Sequence, residues 1–412
     1  MRVRRFGSAH RTGLRLATAL VAGALLAATA PAAVAAPLAQ GAGGAAAGAG
    51  RGRPDAAALQ AALAAIVDAG GSTAALAELR EAGRTTWRGA AGVSDLVTLA
   101  PVHTDGHFRI GSVTKTFVAT VALQLVGEGR LRLDDTVEHL VPGAVPGGEL
   151  ITLRQLLQHT SGIAELTDDP RFEPADEAGI RRWLTTGRWT TYRLADLAAI
   201  GTAMPPTFPP GTGWSYSNTN YLLVAMAVER ATGQRWEQVV ERRIIRPLGL
   251  TQTSFPRTSP FVPPPHAHGY FSLPTGPADV TLRNPSGASA AGSGISTAAD
   301  LDVFLSALLG GRLLRPAELA EMQRTVEVRP GVGYGLGLQR MDSPCGPLFG
   351  HTGSIEGFQS ALVGTADGQR QIALSYNPFD HTKGAEQQRA VLGLLVKSLC
   401  PVSPTGGSPA AG

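Results

Sequence analysis

One helix constrains this chain more than any other part of it. From Val113 to Val126 the sequence is apolar apart from Lys115, three Thr and Gln124, and Gly127 and Gly129 close the run. A helix without a polar stripe has no face to give to water, so it must pass through the interior with protein on every side. That requires a substantial domain around it. The 412 residues, 43% hydrophobic, suffice for one large or two modest domains.

Lys115 is the residue that such a helix should not contain. The chain has 36 Lys plus Arg, and Lys occurs only at 115, 383 and 397, so the other 33 are Arg. A guanidinium keeps its proton in a protein, whereas burial can turn a Lys amine into a base. Ser112 lies three positions earlier, on the same helical face, and within reach of that amine. The pair is a candidate activated nucleophile, with Ser112 at a helix N-terminus where backbone N–H groups and the positive dipole end gather.

Charged residues make up 17% of the chain, and disorder throughout is excluded. The first 36 residues have the pattern of an export signal. Arg2, Arg4, Arg5, Arg11 and Arg15 precede an apolar run from Leu16 to Ala30, and Ala33-Val-Ala35 offers a small-x-small cleavage site. The run is short for a membrane anchor and is followed by Pro31 and Pro37. Removing residues 1–36 deletes five Arg and no acid and takes the formal charge from +4 to −1. The pI near 9.3 therefore gives no support for a nucleic-acid partner. Cys345 and Cys400 both fall in the exported part, where two Cys most simply form one disulfide; two buried thiols are the alternative.

Residues 37–54 are an Ala/Gly-rich linker, and 401–412 form a Pro/Gly/Ser tail. Between them lies one domain, 55–400. Its periodicity predicts a helix over Asp55–Ala69, a strand pair over Thr73–Leu79 and Thr85–Val93, and strands at Tyr334–Gln339, Phe358–Gly364 and Gln371–Tyr376. A last helix is expected from about Ala385 to Leu399. Residues 131–285 read as a mostly helical insertion with Pro/Gly loops, and Ala298–Leu309 as a further helix. Strands at both ends and helices between them give an α/β fold of the α+β kind, with an antiparallel sheet built from both chain ends and flanked by helices.

Two further motifs join Ser112 and Lys115. Tyr216-Ser-Asn218 follows a Gly/Pro turn and precedes a helix. A Tyr near two cations can ionise enough to act as a base, and Asn218 offers a donor and an acceptor to a substrate amide. His351-Thr352-Gly353, followed by Ser354, reads as a Gly-bearing edge-strand segment that lets a substrate backbone approach.

Ser-x-x-Lys, Tyr-x-Asn and His-Thr-Gly in this order resemble the serine β-lactamase/penicillin-binding superfamily, and most of all its secreted actinomycete-type D-alanyl-D-alanine carboxypeptidases, which are class C β-lactamase-like. Phe108–Lys115, Leu156-Leu-Gln-His-Thr-Ser-Gly162, Tyr216–Asn220, Tyr334-Gly-Leu-Gly-Leu338 and Gly350–Gly353 carry the likeness. The resemblance implies an acyl-enzyme on Ser112, proton transfer shared by Lys115 and Tyr216, an oxyanion hole from the backbone N–H groups of Ser112 and Ser354, and Thr352 and His351 on the carboxylate and proton-relay side. It implies peptidoglycan stem peptides or small acyl and ester substrates, β-lactams as covalent inhibitors, no cofactor and a monomer. Where the carboxypeptidases carry an Arg for the terminal carboxylate, this chain has Gln339, with Arg340 next on the opposite side of the strand. That leaves room for an esterase, a D-amino-acid amidase or a lactamase. A non-catalytic binding protein of the same fold is disfavoured, because Ser, Lys and Tyr are all present. His266-x-His268 has no companion cluster, and no metal is expected. His159 and Trp214 are expected to pack near the site.

Overall fold

The computed structural model describes residues 55–172 and 176–400. The expected export signal, linker and C-terminal tail lie outside these residues. Eight strands form the main sheet: β1 (Ser72–Glu81), β2 (Arg84–Gly92), β3 (Val326–Arg329), β4 (Val332–Tyr334), β5 (Gln339–Ser343), β6 (Gly346–Ile355), β7 (Phe358–Thr365) and β8 (Arg370–Pro378). Their order is β2-β1-β8-β7-β6-β5-β4-β3, and every pairing is antiparallel. The two chain ends meet where β1 pairs with β8, so the sheet is indeed built from both ends. The helices that matter for the site are α1 (Ala56–Asp68), α2 (Thr114–Gly127), α3 (Leu153–Gln158), α4 (Asn218–Thr232), α5 (Ala298–Leu309) and α6 (Gly384–Leu399).

The period-2 alternation of strand side chains sorts the residues into two cores. Ala75, Ala77 and Leu79 of β1, Ala361 and Val363 of β7, and Ile372 and Leu374 of β8 meet Leu59, Leu63 and Ile66 of α1 and Val391, Leu394 and Leu395 of α6. Their neighbours Leu76, Leu362 and Ala373 point the other way, into the larger core that surrounds α2 and α5. Asp55 begins α1 by accepting from the backbone N–H groups of Ala57 and Ala58. Helix α2 is buried nearly all round, from Thr114 to Leu123 and again at Leu125. Phe117 stacks on Phe304 of α5 with ring centroids 3.6 Å apart. Among the described residues no helix is long and apolar enough to cross a membrane.

Two expectations change in detail. The strand expected over Tyr334–Gln339 is two strands, β4 and β5, separated by Gly335–Leu338. Gly337 has φ +77°, and a Cβ there would lie 2.4 Å from the Cβ of Ala119. The chain turns at this point to press onto α2, where the Thr116 hydroxyl donates to the Gly337 carbonyl at 2.9 Å. In the described residues of 131–285 the regular elements are mainly short helices joined by long loops, with a hairpin, Tyr270–Leu273 with Gly276–Asp279, that the helical expectation lacked.

Cys345 and Cys400 form a disulfide with their Cα atoms 5.3 Å apart. It fastens the turn between β5 and β6 to the end of α6. The bridge spans 55 residues, and the loop-closure entropy of such a span corresponds to about 4 kcal/mol. Replacing both Cys by Ser should therefore lower the unfolding free energy by a few kcal/mol in urea titrations under non-reducing conditions. An unchanged midpoint would show that the bridge does not constrain the unfolded chain.

Candidate active site

Ser112, the candidate nucleophile, is positioned by a short strand and a tight turn. Phe108-Arg109 pairs with Ile295-Ser296, and the buried Arg109 guanidinium donates to the carbonyls of Pro260 and Thr281. A single 3-10 turn, Gly111–Val113, then leads into α2. Gly111 has φ +51°, and a Cβ there would come within 2.8 Å of the Ser354 backbone nitrogen. Only glycine lets the loop carrying Ser112 lie against β6 this closely. Gly353, next along β6, sits against the Ile110 carbonyl.

Beyond Gly350, β6 pairs on one side only, with β7; its pairing with β5 ends there. The Thr352 N–H points to the unpaired side, where it donates to Gln339 Oε1 at 3.3 Å. By the two-residue period the Ser354 N–H faces the same way, toward Gly111 and Ser112. The segment His351–Ser354 is thus an open edge facing the nucleophile, with a backbone donor placed to serve an oxyanion.

Lys115 has no solvent exposure. Its Nζ lies 2.6 Å from Asn218 Oδ1, 2.7 Å from the Ala291 carbonyl and 3.1 Å from Ser112 Oγ. Two of these oxygens can only accept. A neutral amine has two protons to give them, which leaves its lone pair for the third direction, that of the Ser112 hydroxyl. Burial pushes the amine down to about 7, and the Glu165 carboxylate opposes that fall. The site therefore holds a Lys that can accept the Ser112 proton near neutral pH.

Tyr216 differs from expectation. Lys115 Nζ stands 4.8 Å from its ring centroid, yet burial pushes the phenol well above its usual 10 and Glu165 adds to this, while the adjacent Ser112 hydroxyl offsets only part. Tyr216 is a protonated phenol in the resting site, able to donate or relay a proton but not ionised beforehand. The sequence places a cation nearby but gives no measure of desolvation.

Asn218 opens α4 and is held from both sides. Its backbone N–H and its Nδ2 donate to the two Glu165 oxygens at 2.6 and 3.0 Å, while its Oδ1 accepts from Lys115. Glu165 is a site residue that the sequence reading missed; the Leu156–Gly162 motif marks its neighbourhood but not the carboxylate itself.

His351 is neutral. Its Nδ1 lies 2.6 Å from the Thr352 carbonyl, which can only accept, so Nδ1 carries the proton and Nε2 accepts from the Tyr334 hydroxyl at 2.9 Å. Burial, followed by the charge of Lys115, pushes the imidazole down to about 3. Gln339 is buried and turned toward Thr352, whereas Arg340 pairs with Asp342 at 2.5 Å. Trp214 and His159 belong to the aromatic group around Tyr216 and Tyr334. His266 and His268 stack on each other, and His268 pairs with Asp279. No group of three or more His, Cys, Asp or Glu among the described residues could hold a metal ion.

The family model described as Beta-lactamase matches residues 59–396. The chain belongs to the β-lactamase/penicillin-binding protein family. Penicillin-binding protein 4 of Amycolatopsis lactamdurans is 33% identical over 295 residues, covering 66% of this chain and 72% of that protein. Among solved structures, a D-stereospecific amidohydrolase from Streptomyces sp. superposes with a TM-score of 0.75 at 39% identity, covering 85% of this chain and 100% of that one. The D-amino acid amidase of Ochrobactrum anthropi SV3 superposes with a TM-score of 0.72 at 27% identity, over 83% and 97% of the two chains. The family is one of serine hydrolases, and the geometry around Ser112 and Lys115 suits the formation of an acyl-enzyme.

If Lys115 accepts the Ser112 proton, kcat/KM should rise with pH through a value near 7 and plateau above it. Lys115→Arg should lose at least about a thousandfold, because a guanidinium cannot take the proton. Steady-state rates from pH 5 to 9 check both. Near-normal rates for Lys115→Arg would remove Lys115 as the base.

Proposed function

We propose that this protein is an exported D-stereospecific amidohydrolase that cleaves amides or short peptides of D-amino acids through an acyl-enzyme on Ser112. The observation that carries the reading is the charge at the recognition end of β6. Gln339 stands where a carboxypeptidase would need a cation, and it is engaged with Thr352. The guanidinium of Arg340 is tied to Asp342 instead. A substrate carboxylate would lose a charge-assisted pair there. The fixed charge beside Asn218 is that of Glu165, a carboxylate, which suits a substrate with a free ammonium better than one ending in a second anion. The likeness to a D-stereospecific amidohydrolase over the whole of that chain supports the same choice.

The proposed chemistry follows from the geometry. Lys115 accepts the Ser112 proton as Oγ attacks the amide carbonyl, and the N–H groups of Ser112 and Ser354 take the developing oxyanion. That proton passes from Lys115 through the Tyr216 hydroxyl to the leaving amine; water then attacks the acyl-enzyme, giving one proton back to Ser112 as Oγ leaves, and the acid is released. Export rests on the N-terminal sequence pattern and is consistent with the disulfide. A second reading, a D-alanyl-D-alanine carboxypeptidase acylated by penicillins, is favoured by the likeness to a penicillin-binding protein.

Rates on D-amino-acid amides, their L-counterparts and an N-acylated D-Ala-D-Ala peptide separate the two. The amidohydrolase reading expects the D-amide to be cleaved fastest and the L-amide hardly at all. Gln339→Arg should then raise kcat/KM on the N-acylated D-Ala-D-Ala peptide by roughly 10- to 100-fold, the worth of one charge-assisted hydrogen bond. Faster cleavage of the D-Ala-D-Ala peptide by the unaltered protein would favour the carboxypeptidase.

A further inference from the structure

We infer that His159, held as the neutral Nε2–H imidazole, is the positioning residue that fixes Tyr216 against Ser112 and Lys115. The inference rests on the reading of Tyr216 as the residue that moves the proton. Three observations carry it, and none involves the reacting atoms themselves.

First, His159 brackets Tyr216 along the chain. Its carbonyl accepts from the Ser215 N–H at 3.1 Å, and its Nδ1 accepts from the Ser217 N–H at 3.2 Å. The residues on either side of Tyr216 are therefore tied to one histidine. Its Nδ1 also lies 3.2 Å from Asn220 Nδ2. Asn220 Oδ1 in turn accepts from the Ser161 hydroxyl, so its amide nitrogen is the atom that faces the ring. Two donors on Nδ1 leave the ring proton on Nε2.

Second, the ring supports the phenol directly. The centroids of His159 and Tyr216 are 4.3 Å apart with their planes at 35°, nearer than the rings of Tyr334 and His351, and Lys115 Nζ lies 4.8 Å from the Tyr216 ring centroid. Third, the backbone is held in an unusual conformation to achieve this. His159 has φ +62° at the end of α3, a left-handed conformation in a non-glycine residue with no solvent exposure. Such strain persists only where the surroundings over-determine it. A protonated ring would lose both Nδ1 bonds and place a second cation beside Lys115. Burial disfavours that form first, and an ammonium at Lys115 would add to it.

Three variants and one spectrum test the inference. Asn places an acceptor where Nδ1 stands and tolerates the left-handed backbone, whereas Gly accepts the backbone but supplies neither acceptor nor ring. His159→Asn should keep kcat within about tenfold. His159→Gly should lose about 100-fold or more in kcat with KM little changed, the scale expected for a misplaced catalytic group. Equal activity in both variants would reduce His159 to a backbone role, and equal loss in both, with unfolding midpoints intact, would show that the acceptor is not what matters. Either result overturns the inference. Tyr216→Phe is the control: if it remains active, the reading of Tyr216 fails whatever His159 does. If it is inactive and His159→Gly costs nothing further in that background, the two residues act as one unit. Independently of any variant, the 15N shifts of His159 should show the Nε2–H tautomer across pH 5 to 8, and an Nδ1–H or a charged ring would refute the assignment.

Discussion

The structure depends on keeping one amine out of water. Burial pushes Lys115 from its ordinary 10.5 down to about 7, so the fold disfavours the ammonium. That penalty produces the base, and it dictates much of the architecture. The amine must lie within a helix with no solvent face, so α2 is central and α4, α5 and the turn at Gly335–Leu338 are gathered round it. It must also be satisfied by oxygens, because a buried polar group without partners costs still more. These oxygens come from three separate places in the sequence, at Ser112, Asn218 and Ala291.

The same burial divides the labour among the other titratable groups. It raises Tyr216 and lowers His351, so both are neutral when Lys115 is neutral. The chemistry of Ser112 therefore starts from a site with one formal negative charge nearby, Glu165, held by the two donors of Asn218. Proton transfer from Ser112 to Lys115 creates an ammonium between an oxyanion and that carboxylate. The site is arranged so that charge appears in the reaction where opposite charge or N–H dipoles already stand.

Much of this was legible in the sequence for physical reasons. An apolar run must be interior, a lone Lys within it is a candidate for function, and alternation at both ends of the chain suits a sheet. What escaped depends on distances that periodicity does not encode. Glu165 lies 53 positions from Asn218, and only the tertiary fold brings the two together. Two glycines within Tyr334–Leu338 made a continuous strand pattern into a turn, because Gly337 allows a close approach to α2 and Gly335 one to the Met322 carbonyl, which no pattern announces. The expected ionisation of Tyr216 was reversed because proximity to a cation can be inferred from motifs, whereas loss of water cannot.

Catalysis and selection sit on different parts of the scaffold. Ser112, Lys115, Tyr216 and Asn218 are fixed by helix ends and by the buried polar contacts between α2, α3 and α4. Gln339, Thr352 and Ser354 lie on the β5–β6 hairpin, whose outer half presents an open edge. An open edge binds an extended substrate by backbone hydrogen bonds, but it is also the part of a sheet most free to shift. Three contacts hold it in place. The strand β7 pairs along its full length, the glycine contact at 111 presses the loop carrying Ser112 against it, and the Cys345–Cys400 bridge fastens the turn of the hairpin to α6. Gln339 lies on β5 and is engaged with Thr352, while Lys115 is held by Ser112, Asn218 and Ala291, so the two have no hydrogen-bond partner in common. A single nucleophile can then serve substrates that differ in charge at one end.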